Sequence, residues 1–393
     1  MTSTSAHLHS TRGRAAAMAI AIAVLATACA GAPPKRDVFW PDPPEKTRIE
    51  LVRSIRGEGD LRTGFWFRLS RMLFASNSKA VAYPTGIAID PSERFLYVAG
   101  PARVVRIDLL EGHVVDAVKR MPRGAYGLAV DGEGLIYVGD HRGNEIWIYD
   151  PNGNPVAKLG QGVLEHPTGL AIDRRAQILY AISGVEQGSN RHVIEAFSLK
   201  GEHLRTIGAR GVGPGEFNYP VNIAVGAEGR IHVTDMLNFR VQTFERDGQP
   251  YGVFGEAGVG APAQFQKLKG IAVDSFGNIH VSDSLTGNVQ VFNSRFHPLI
   301  AYGGPIVPMV VPTAIAIDSK NNIYVADYGQ HVVHQFQLVN TTAEECLPQD
   351  DKEKAKPAVR AAAQGEKGTD TSPAATDVGA KPATGSQPAT RSP

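Results

Sequence analysis

The 393-residue chain has little cysteine, almost no net charge and no apolar run long enough to cross a bilayer. Two cysteines, Cys29 and Cys346, exclude a disulfide-dense scaffold. Forty Lys and Arg stand against 39 Asp and Glu, and a net +1 provides no electrostatic footprint for a nucleic-acid backbone. The apolar stretch from Ala15 to Thr27 has 13 residues, whereas a spanning helix takes roughly 20. Glycine (42) and proline (26), by contrast, are abundant and dispersed along the chain. Chain-reversing residues at that density suit many short strands, and 42% apolar content supplies a core large enough for one big β-domain.

The two ends read differently from the body. Met1 to Arg14 is polar and carries Arg12 and Arg14, and the apolar run after it ends in small residues, the pattern of an export signal over residues 1–28. Its last residues, Leu25-Ala26-Thr27-Ala28-Cys29, resemble the lipobox of bacterial lipoproteins. That resemblance implies lipidation of Cys29 and a membrane-anchored protein facing the periplasm or the cell surface. Ala30, where an aspartate is associated with inner-membrane retention, favours the outer membrane if the host has one. Residues 29–46 are proline-rich and read as a stiff linker. Residues 340–393, rich in Ala, Pro, Lys and Thr, read as a disordered tail that leaves Cys346 without a disulfide partner.

Between the ends, six segments share one pattern: Gly86 to Asp90, Gly127 to Asp131, Gly169 to Asp173, Asn222 to Gly226, Gly270 to Asp274 and Ala314 to Asp318. Their starts lie 41 to 53 residues apart, and each is followed by a polar turn and further short apolar strands. A unit of that length carrying four strands is a propeller blade, so the chain is expected to be all-β, a six-bladed β-propeller over 47–339. The sixth unit lacks its fourth strand. Arg48 to Ile55, ahead of the first unit, has the strand character to supply it and close the ring.

The stretch Gly211-Val-Gly-Pro-Gly-Glu-Phe-Asn-Tyr-Pro220, running into Ile231 to Asp235 and Asn238 to Phe244, resembles the NHL-repeat family of six-bladed propellers. The resemblance is specific for architecture and weak for activity. Gly100 and Ser183 depart from it, standing where other units carry Asp140, Asp235, Asp283 and Asp327.

The resemblance implies a ligand face over the central channel, formed by the loops entering the first strands and those joining strands two and three. Residues three before each repeat start are Tyr83, Gly124, His166, Tyr219, Lys267 and Val311; those one before are Thr85, Tyr126, Thr168, Val221, Lys269 and Thr313. These positions hold one histidine and no carboxylate, so no metal, no cofactor and no catalytic residue is expected, a catalytic metal needing about three convergent ligands. His166 reads as a turn residue. The partner-binding candidates are Tyr83, Tyr126, His166, Tyr219, Arg240, Lys267 and Lys269, with Asp140, Asp235, Asp283 and Asp327 mid-blade. His331 and His334 fail as a metal pair because three positions apart on a strand they point to opposite faces. His232 and His280 read as blade packing. An insertion over 61–80 wound as a helix offers Trp66, Phe67 and Phe74 as a docking surface. The resulting expectation is a monomeric, lipid-anchored envelope protein that binds or scaffolds a protein, peptide or glycan and no nucleic acid. The rival is a propeller enzyme, a metal-dependent lyase or lactonase-like hydrolase.

Overall fold

The computed structural model describes residues 38–41, 45–62, 80–186 and 189–346. The export segment with Cys29, the aromatic insertion with Trp66, Phe67 and Phe74, and the tail beyond 346 lie outside the described residues.

Each repeat folds into an antiparallel sheet whose strands pair in chain order. In blade 2 these are Ala125–Val130, Ile136–Asp140, Glu145–Tyr149 and Pro155–Leu159. The first strand of every blade is innermost: Gly86–Ile89, Ala125–Val130, Leu170–Asp173, Pro220–Val225, Leu268–Val273 and Pro312–Ile317. Each touches the next and the sixth touches the first, so the ring closes with six blades. Five of these strands end at an aspartate that ties the following turn. Asp131 Oδ1 accepts the N–H groups of Glu133 and Leu135, both at 2.9 Å, and Asp318 Oδ1 accepts those of Lys320 and Asn322.

Period-two alternation leaves both faces of each sheet apolar, and each face is covered by a neighbouring blade. The buried side chains form six clusters, one at each interface between blades. Tyr97 and Ala99 of blade 1, for example, pack with Leu128 and Trp147 of blade 2. The clusters contain Ile and Val against Ala, large against small, so adjacent sheets interdigitate.

Blade 6 is built from both ends of the domain. Ile49–Ile55 pairs antiparallel with Val332–Leu338, Ile49 opposite Leu338 and Ile55 opposite Val333, supplying the missing fourth strand. Ile49 and Ile55 are fully buried, one in the cluster against blade 5 and the other in the cluster against blade 1. A fifth strand, Phe39–Trp40, pairs with Ile49–Ile55, so part of the stretch read as linker belongs to the blade. Trp40 packs edge-on against Tyr302 of blade 5 (ring centroids 6.2 Å) and Phe336 of blade 6 (5.7 Å). The domain also extends past 339: Ala343–Cys346 forms one helical turn, with Cys346 buried beside Asn278 (Nδ2 to Sγ 3.2 Å) and Glu345 paired with Lys46 at 2.9 Å. Among the described residues no helix is long and apolar enough to cross a membrane.

Two histidines sit inside blades, as expected. His280 is buried between Asp274 (3.2 Å) and the Tyr302 hydroxyl (3.3 Å). His232 is buried with Nδ1 2.9 Å from Thr243 Oγ1, and burial, with Arg230 adding repulsion, pushes its pKa down to about 4. His331 and His334 do not converge, although alternation along a strand is not the reason. His331 lies in the turn before Val332–Leu338 against Tyr83, whereas His334 is buried and meets Ser54 Oγ at 2.8 Å.

Ile55→Ala should cost about 2–5 kcal/mol through a cavity at the seam between blades 6 and 1, read as a lowered denaturation midpoint; an unchanged midpoint would contradict ring closure through this strand. His232 remains neutral in the fold while the unfolded chain takes up a proton near pH 6.5. Stability is therefore complete above that pH and declines as pH falls toward about 4. Midpoints measured at pH 7 and pH 5 should differ less in His232→Gln than in the wild type.

Candidate functional site

The six positions just before the repeats, Thr85, Tyr126, Thr168, Val221, Lys269 and Thr313, all line one cavity of about 240 Å³ at the axis. They meet there because the innermost strands begin together at one end of the channel. Asn222, Lys267 and Tyr328 join them. Two of the threonine hydroxyls stitch adjacent blades: Thr85 Oγ1 reaches the carbonyl oxygens of Ala99 (3.2 Å) and Ala125 (3.3 Å), and Thr313 Oγ1 those of Ala326 (3.1 Å) and Pro84 (2.8 Å). The Thr168 hydroxyl is buried without a hydrogen-bond partner. Two lysines and no carboxylate are among the described residues of the lining. Lys269 is half-buried, and burial together with the neighbouring charge of Lys267 lowers its pKa. At the opposite end Arg174 crosses between blades, donating to the carbonyl oxygens of Ile89 and Val130 at 3.1 Å.

An aromatic collar surrounds the mouth. Tyr83 packs at a tilt between Tyr328 (5.3 Å) and His331 (3.9 Å), Tyr126 lies 5.4 Å from His141, and Tyr219 meets His192 at 6.0 Å. Partial desolvation among the neighbouring groups, with Tyr219 and Tyr328 close by, raises the pKa of the Tyr126 phenol, although the side chain as a whole stays exposed. His166 stands in this collar with its ring 5.0 Å from that of His141. The spacing of the repeats does not bring His141 or Glu186 to notice, yet both converge on His166: their donor atoms lie within 4.8 Å of one another. The three come from three separate loops, so no sequence motif marks them.

Five other candidates are not available to a partner. Asp140, Asp235, Asp283 and Asp327 are buried, and each carboxylate fastens the loop entering its blade. Asp283 accepts the N–H groups of Gln266 (2.5 Å), Lys267 (3.1 Å) and Leu285 (2.9 Å). Asp327 accepts those of Val310 (2.8 Å), Val311 (2.9 Å) and Gly329 (2.9 Å). Arg240 bonds Asp235 Oδ2 at 2.9 Å and the carbonyl oxygens of Gly213 and Glu216 at 2.8 Å, so its guanidinium is consumed in holding the blade-4 loop. The departures at Gly100 and Ser183 follow the same logic. Ser183 Oγ accepts the Glu165 N–H at 2.9 Å, doing the aspartate's work. At Gly100 the loop lies so close that any Cβ would overlap the carbonyl oxygen of Ala82.

No family model matches the chain. A 45-residue stretch, 12% of the chain, is 44% identical to part of the E3 ubiquitin-protein ligase TRIM32 of Homo sapiens, and the match spans 7% of that protein's length. Among solved structures, a protein of unknown function from Bacteroides thetaiotaomicron VPI-5482 superposes with a TM-score of 0.51 at 16% identity, over 67% of this chain and 70% of that one. A nidogen/laminin complex gives a TM-score of 0.48 at 16% identity, over 57% of this chain and 84% of its own. Sharing a fold at such identity says nothing of the chemistry on the loops. The chain is a six-bladed β-propeller.

Proposed function

We propose that the protein is an exported, lipid-anchored binding protein of the NHL-repeat kind, which seats a protein or peptide partner on its loop face and takes an anionic group of that partner into the channel mouth. The observation that carries the reading is the lining of the axial cavity: Lys267 and Lys269, a buried unpaired Thr168 hydroxyl, and no carboxylate among the described residues. A carboxylate placed there meets two cations and a free hydroxyl in a partly desolvated site, where charge-assisted bonds are about twice as strong as neutral ones.

The surroundings support the same partner class. Loops entering the inner strands and turns joining strands two and three emerge on one side of the disc. They expose Tyr83, Tyr126, Leu237, Leu285, Val310 and Tyr328 around the mouth. Burying one such side chain contributes about 1.5–3 kcal/mol, and apolar groups gathered around a recess mark interaction sites more often than scattered ones do. Anchoring rests on the Leu25 to Cys29 stretch, and placement in the outer membrane on Ala30.

A crosslinking pull-down from native membranes tests the reading. Wild-type protein should capture one reproducible protein partner, and Lys269→Glu should weaken capture at least about tenfold, equivalent to about 1.4 kcal/mol, with its melting temperature preserved. Asp283→Ala, by contrast, should lower the melting temperature. Capture indifferent to Lys269→Glu, or recovery of a glycan alone, would overturn the assignment.

A further inference from the structure

The trio His141, His166 and Glu186 lies on the loop face where blades 2 and 3 meet, and the channel does not use it. His141 follows the buried Asp140 in the turn between strands two and three of blade 2. His166 stands in the loop entering blade 3, and Glu186 follows the second strand of that blade, Ile178–Ser183. We propose that these three side chains form a binding site for a late first-row divalent metal ion, with Zn²⁺ the best fit.

Geometry comes first. Each residue offers one donor atom, and the three atoms lie within 4.8 Å of one another. His141 Nε2 is 3.3 Å from Glu186 Oε2, and His166 Nδ1 is 3.8 Å from the same oxygen. Metal–ligand bonds of about 2.0–2.1 Å in a tetrahedral arrangement separate neighbouring donors by about 3.4 Å. The side chains therefore need only small rotamer adjustments, and Glu186, whose side chain is half-exposed, has the freedom to make them. Two imidazoles with one carboxylate select zinc and its neighbours over Mg²⁺ and Ca²⁺, which prefer all-oxygen shells.

The surroundings of the ligands match as well. His166 Nδ1, the ring nitrogen that faces Glu186, also lies 2.9 Å from the carbonyl oxygen of His141, a contact that ligation through this nitrogen would replace. The His166 backbone is fixed by its N–H to Asn144 Oδ1 at 2.8 Å. The His141 ring is held between Tyr126 and His166, and its Nδ1 is buried without a partner. Three protein donors leave a fourth position for water or for a donor from a bound partner. Tyr126 lines the channel and packs on His141, so that position shares a wall with the cavity mouth.

The test uses untagged full-length protein stripped with chelator and dialysed. Calorimetric titration with ZnCl₂ should saturate at one ion per chain, and Co²⁺ should give visible absorption of four-coordinate intensity that Zn²⁺ abolishes. Glu186→Gln, at a half-exposed position, and His141→Ala should each weaken Zn²⁺ binding at least about tenfold. His297→Ala, an exposed histidine elsewhere, should leave binding unchanged. Substoichiometric uptake, binding that survives both ligand substitutions, or displacement of Zn²⁺ by equimolar Mg²⁺ would overturn the proposal. A preserved melting temperature in Glu186→Gln separates loss of a ligand from loss of the fold.

Discussion

Burial of sheet faces against neighbouring sheets is the interaction on which the molecule depends. A single four-stranded blade has two apolar faces and cannot cover either alone. In a closed ring every face finds a neighbour, and the six clusters between blades are the result. The requirement is circular: each interface needs both blades whole, and blade 6 is whole only when Ile49–Ile55 joins Val332–Leu338. Ile49 and Ile55 serve the interfaces on either side of that blade, so one strand completes two of the six clusters.

The polar chemistry follows from the same closure. Loops rising above a packed ring carry peptide groups that need partners, and the aspartates at strand ends provide them. Asp283 and Asp327 each gather several backbone N–H groups and hold the loops that shape the channel mouth. Groups not used in this way are what remain for binding. Around the axis these are Lys267, Lys269, the Thr168 hydroxyl and the tyrosine rings. Between blades 2 and 3 they are His141, His166 and Glu186, in the region where Ser183 replaces the aspartate.

The repeat pattern makes most of this architecture legible, because a blade's strand order and turn positions recur with the period and the inner strand's alternation points straight to the axis. All six residues just before the repeats line the channel for that reason. Phe39–Trp40 was not legible, since a two-residue strand among prolines has no period and owes its place to the fit of Trp40 between Tyr302 and Phe336. Topology puts Asp140, Asp235, Asp283, Asp327 and Arg240 on the side expected to face a partner. Topology says nothing of which way a carboxylate turns, and these turn inward to backbone amides and, for Arg240, to carbonyls. Nothing in the spacing groups His141 and Glu186 with His166, because convergence of three loops leaves no mark there.

Both ends of the described domain meet at one corner of the disc, where Lys46 and Arg48 hold Glu345 and Trp40 is wedged between blades 5 and 6. A tug on the chain ahead of Phe39 arrives there first. The hairpin of Phe39–Trp40 on Ile49–Ile55 and the seated indole bear the load before the seam strand does, in the manner of a cable clamp relieving a connector. A molecule pulled from that end would peel a few contacts at its rim and leave the channel and its collar intact.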